Sequence, residues 1–171
     1  MKKIKWILLT TVFASIHFAA LHAQTKFDVP QNVELKSKED YLKYENSMID
    51  AAKWLEETDL DKETEKRQQI NSFVVQWISG TPDITVDITK ELGKVYAKNV
   101  QLLGLYIASY ARNFLENKNS STKFTATKAG LISIMNVYKK GIKITKSKEM
   151  DKLIRLTDDN KLDVYIKDKF K

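Results

Sequence analysis

Cysteine is absent from this chain of 171 residues, and histidine is nearly so. Both histidines, His17 and His22, fall within the first 23 residues, so a chain shortened by that segment carries neither residue type. Their loss excludes Ser-His-Asp and Cys-His nucleophilic catalysis, zinc sites of the usual ligand types, haem held through histidine or cysteine, and cysteine-ligated iron–sulfur clusters. A lipid-modified N-terminal cysteine is excluded on the same ground. Glycine and proline are scarce, with five and two copies. Neither GxGxxG nor GxxxxGK[ST] occurs, so glycine-rich phosphate loops are excluded too. No cofactor and no metal site is expected.

Long hydrophobic runs are also missing, and the one apolar stretch of note is short. Trp6 to Ala20 spans about 15 residues, below the roughly 20 that cross a bilayer. Lys2, Lys3 and Lys5 precede it, and Ala23 follows where a signal peptidase would cut. This layout predicts a signal peptide over 1–23, a mature N-terminus at Gln24, and an exported protein of bacterial type, periplasmic or extracellular, with no transmembrane span after cleavage. An uncleaved N-terminal anchor is the competing reading. Cleavage would remove three of the 29 basic residues and no acidic one, which lowers the net charge from +7 to +4.

The mature part has the length of one domain able to bury a core without metal or disulfide staples. Residues 24–36, with Pro30 and no hydrophobic period, predict an extended lead-in, and 37–171 a single all-α domain. Ser37 and Asp40 resemble a capping box ahead of a helix running to about Glu57. Ile70, Phe73, Val74, Trp77 and Ile78 fall at helical spacing, and Gly80 with Pro82 supplies a stop. Ile84, Val86 and Ile88 alternate, which predicts a short extended connector near 81–88. A long central helix is expected from about Thr89 to Glu116, another from Lys123 to Lys140, and a short one behind Ser147. Residues 161–170 fit helix or strand. The expected fold is a single-domain helical bundle of about four main helices plus one or two short C-terminal ones.

Two faces stand out on the expected central helix. One is bulky; the other carries Gly93, Ala97, Gly104 and Ala108, and Gly130 and Ser133 form a similar small face on the next helix. Glycine in a helix interior costs about 0.5–1 kcal/mol relative to alanine, so these positions predict close helix approach. Trp54 and Trp77, at helical spacing with other apolar residues, are expected core anchors rather than a pocket lining.

Charge is polarised along the chain. From Glu34 to Glu65 there are eleven acidic and five basic residues, whereas from Lys94 to Lys148 there are eleven basic residues and only Glu116 acidic. Lys94, Lys98, Arg112, Lys118, Lys123, Lys128, Lys139 and Lys140 are therefore candidates for a basic face that meets an anionic envelope component or an acidic protein. The competing reading is that the two halves neutralise each other. Interleaved tyrosines fall mostly on apolar faces, which argues against a nucleic-acid stacking platform. The acids Glu56, Glu57, Asp59, Asp61, Glu63 and Glu65 lack the spacing of an EF-hand and are expected to solvate a turn. The sequence thus predicts an exported, non-catalytic helical protein acting by binding. The alternative is a cofactor-free hydrolase using Glu or Asp carboxylates in a helical pocket.

Overall fold

Ser37 opens the first helix as its spacing requires. Its hydroxyl accepts from the Asp40 N–H, and the Asp40 carboxylate accepts from the Ser37 N–H at 2.9 Å. The computed structural model describes residues 26–170. The expected signal peptide, its expected cleavage site and the expected N-terminus at Gln24 lie outside the described residues. Helix α1 (Lys38–Lys43) stops at Tyr44, and α2 (Glu45–Glu57) starts at once. The break lets two consecutive turns face α3 (Thr64–Ile78): Tyr41 meets Trp77 and Tyr44 meets Phe73, both edge-to-face with centroids 6.2 and 6.1 Å apart.

Helix α3 buries Ile70, Phe73, Val74 and Trp77. Its end does not use Gly80 as a left-handed cap, because Ser79 closes the helix in right-handed geometry. Gly80 instead makes room: a Cβ there would stand 2.0 Å from the Tyr41 hydroxyl oxygen. Residues 81–88 form no strand and run as an irregular connector, with Ile84 buried and Val86 against the core.

The expected central helix is three pieces. Thr89 caps α4 (Lys90–Tyr96), a single 3-10 turn follows at Val100–Leu102, and α5 runs Leu103–Glu116. Asn99, with φ −141° and ψ 60°, breaks the ladder. Periodicity does not record such a break, since Leu92, Tyr96 and Leu103 keep helical spacing across it. Helix α6 (Lys123–Lys140) starts at a Thr122–Thr125 capping box and ends at Gly141 in the left-handed region. Helices α7 (Lys148–Asp158) and α8 (Leu162–Lys169) complete the described residues, so the stretch 161–170 forms helix from Leu162 to Lys169 rather than strand.

The domain is an all-α bundle with eight α-helices among the described residues. This corrects the expected count of about four main helices plus one or two short ones, because Tyr44 and Asn99 each divide one expected helix. Helix α5 is the centre and packs on α6, α2 and α3, while α7 and α8 close over α4 and α6. Trp54 and Trp77 are each 1% exposed in the core.

The small residues divide by neighbour. An added Cβ at Gly130 would stand 2.7 Å from the Tyr106 ring and 3.0 Å from the Tyr106 carbonyl oxygen, so α6 lies close against α5. One turn on, Ser109 Oγ donates to Ser133 Oγ at 2.8 Å, and Ala108 is fully buried. Gly104 faces α3, where its Cβ would stand 2.2 Å from Asn71 Oδ1. Gly93 has nothing within 4 Å of an added Cβ, and Ala97 is exposed. Close approach is thus confined to the α5 and α6 positions.

Candidate functional site

The charge polarity meets its complement largely inside the fold. Lys118 pairs with Glu45 at 2.6 Å and Lys140 with Asp59 at 3.3 Å, joining α5 and α6 ends to the acidic α2 region. Lys140 Nζ also donates to the Glu56 and Glu57 carbonyls, which terminate α2. Lys123 pairs with Asp87, Lys128 with Asp163, and Lys94 with Glu91 one turn earlier. Arg112, a candidate for the open basic face, is 24% exposed between Glu56 and Glu116. Six of the eight basic candidates therefore carry an acidic partner from this chain, and they do not form one open surface. Lys98 and Lys139 have no ion-pair partner among the described residues and are exposed.

These two belong to a different cluster. The segment 139–148, KKGIKITKSK, holds five lysines and no acid, and it folds back against the turn that carries Lys98. Asn99, fully buried, holds the join: its Nδ2 donates to the Thr145 carbonyl and its Oδ1 accepts from the Thr145 N–H, both at 2.8 Å. The side-chain amide thereby pairs with the loop as a neighbouring strand would. Gln101 Nε2 donates to the Lys143 carbonyl at 3.1 Å. At the other end the Tyr138 hydroxyl accepts from the Ser147 N–H at 2.9 Å and donates to Asp151 at 2.8 Å. Burial and the Asp151 carboxylate hold the Tyr138 phenol above its ordinary pKa, so it stays protonated for this role.

Backbone strain accompanies the anchoring. Lys143 has φ 53°, a left-handed conformation that a non-glycine residue adopts at a cost of about 1 kcal/mol or more, two residues after Gly141 at φ 72°. The result is a loop pinned at Lys143 and Thr145 to the turn that follows Lys98, with Lys98, Lys139, Lys143, Lys146 and Lys148 exposed and each without an ion-pair partner among the described residues. The nearest acids in sequence, Glu149 and Asp151, lie in the first turn of α7, where Glu149 accepts from Ser147 Oγ and Asp151 from Tyr138. Lysine density in 139–148 is legible in the sequence. The pairing of Asn99 with Thr145, 46 residues away, has no local signal.

A groove of about 570 Å³ between α2, α5 and α6 is where carboxylate chemistry would be sought. Lys53, Glu56, Glu57, Arg112, Asn136 and Lys140 line it. Its charged groups are turned on one another: Glu56 accepts from Asn136 at 3.1 Å and pairs with Arg112, and Lys53 pairs with Glu116. Among the described residues no group of three or more His, Cys, Asp or Glu side chains could hold a metal ion, and no helix is long and apolar enough to cross a membrane. Comparison with known protein families, with curated proteins and with solved structures finds no match.

Proposed function

We propose that this is an exported helical protein, without catalytic activity of its own, that binds an anionic component of the cell envelope through the clasped lysine loop. The observation that carries the reading is the contrast between the two sets of lysines. Within 94–148, Lys94, Arg112, Lys118, Lys123, Lys128 and Lys140 each pair with an acid of this chain, whereas Lys98, Lys139, Lys143, Lys146 and Lys148 are left exposed on a backbone fixed by buried hydrogen bonds. A loop that only needed to be soluble would not require a buried asparagine and a left-handed lysine to hold it. Export rests on the first 23 residues. The non-catalytic reading rests on the lack of cysteine and histidine after them and on the pairing of Glu56 in the groove with Arg112 and Asn136.

The test is equilibrium binding to anionic vesicles, zwitterionic vesicles and a soluble polyanion at rising salt. Exposed charges are screened over about 10 Å at 0.1 M salt, so saturable binding should weaken steeply across that range. Changing Lys98, Lys139, Lys143, Lys146 and Lys148 together to Gln should abolish it, while changing the ion-paired Lys118, Lys123 and Lys128 to Gln should leave most of it. Equal loss from both sets, or no binding by the unchanged protein, overturns the assignment.

A further inference from the structure

The basic loop and the turn pinned to it each carry an aliphatic side chain outside the core. Val100, in the 3-10 turn beside Lys98, is 66% exposed, more than any other large hydrophobic residue of the core-forming helices apart from Val164 on α8. Across the join, Ile142 lies between Gly141 and Lys143. Ile144 packs on the core, whereas Ile142 is half-buried and is not among the side chains packed against it. Gln101, next to Val100, donates to the carbonyl of Lys143, next to Ile142, so the two apolar residues ride on segments pinned together. Lysines flank them along the chain: Lys98 on one segment, Lys139, Lys143 and Lys146 on the other.

An acidic polymer or protein would be served by the lysines alone. Aliphatic side chains outside the core, flanked by lysines without an ion-pair partner among the described residues, fit an interface that is anionic at its surface and apolar a few ångströms below. We infer that the anionic component is a lipid headgroup surface, and that Val100 and Ile142 enter the headgroup and acyl boundary while the flanking lysines engage the lipid charges. This inference rests on the proposed binding role of the same loop. The lysine stems suit it, since their methylenes can lie along the boundary with the ammonium groups in water. Each ammonium within a Debye length of the surface adds to attraction, and the two aliphatic side chains add a part that salt does not screen.

The experiment compares the unchanged protein with a Val100→Asn, Ile142→Asn double variant, lysines intact, on vesicles containing phosphatidylglycerol and on soluble polyglutamate. Both residues lie outside the packed core, so the fold should be kept, and thermal unfolding verifies that. Vesicle partitioning should fall by roughly tenfold, the order expected from losing two partly buried aliphatic side chains, while binding to polyglutamate stays unchanged. A separate Val100→Trp variant, bound to vesicles with brominated acyl chains, should show quenched emission. Trp54 and Trp77, both in the core, should not respond. Equal vesicle binding by the double variant, with no quenching at position 100, overturns the lipid inference and leaves the basic-loop reading standing. Binding to polyglutamate but not to vesicles does the same. Failure of the unchanged protein to bind either ligand overturns both.

Discussion

Gly130→Ala and Gly93→Ala are the same chemical change in two helices and should move stability in opposite directions. A helix gains about 0.8–1 kcal/mol when glycine becomes alanine, from propensity alone. At Gly93 nothing within 4 Å opposes the new methyl, so most of that gain should appear. At Gly130 the methyl would stand 2.7 and 2.8 Å from two Tyr106 ring carbons and 3.0 Å from the Tyr106 carbonyl. Tyr106 is 2% exposed and its carbonyl belongs to the α5 ladder, so neither can turn aside cheaply. Overpacking of this kind costs typically 1–3 kcal/mol. Set against the propensity gain, the expected net loss is up to about 2 kcal/mol, or up to roughly 8 °C in the unfolding midpoint of a domain this size. Thermal and urea unfolding of both variants against the parent gives the answer. A Gly130→Ala midpoint raised as much as that of Gly93→Ala would refute the close approach of α5 and α6.

Arg67→Met should destabilise by about 2–4 kcal/mol, because the guanidinium supplies hydrogen bonds to the Leu55 and Thr58 carbonyls at the end of α2 and their loss leaves acceptors unpaired; urea unfolding with an unchanged slope would measure it. Asn99→Ala should raise amide hydrogen exchange across 141–147 and lower overall stability by about 1–3 kcal/mol, since both Thr145 backbone partners are lost. Exchange confined to its parental rate would show that the clasp is not what holds the loop. The Tyr165 hydroxyl, then Lys94, hold the Glu91 carboxyl below its ordinary pKa of 4.5. A carboxyl depressed in the folded state stabilises fully above its unfolded pKa, and the contribution fades as pH falls from there through the folded value. The stability lost below about pH 4.5 should therefore shrink in Tyr165→Phe, and an identical acid limb in both proteins would contradict the linkage.

Much of the helical framework was legible because it is written in local chemistry. Ser37 with Asp40, Ser147, and the bounds of α6 from Lys123 to Gly141 are all set by caps and period within a few residues. The breaks were not legible. Tyr44 and Asn99 interrupt otherwise continuous hydrophobic spacing, and their reasons, aromatic contacts with α3 and a hydrogen-bonded pair with Thr145, are tertiary. The same blindness affected the basic face. Counting lysines showed the asymmetry between the halves, but whether a given lysine is spent on Glu45 or Asp59, or left open, depends on which helices become neighbours. Arg112 illustrates it: the sequence makes it a candidate for an open basic face, yet α2 brings Glu56 against it.

The most direct measurement is a residue-by-residue map of backbone amide shifts as a short soluble polyanion is titrated into the labelled protein. If the clasped loop is the binding surface, saturable shifts should concentrate at 98–101 and 139–148 and vanish at high salt. Shifts centred instead on Lys118, Lys123 and Lys128, or scattered evenly over all lysines without saturation, would contradict it.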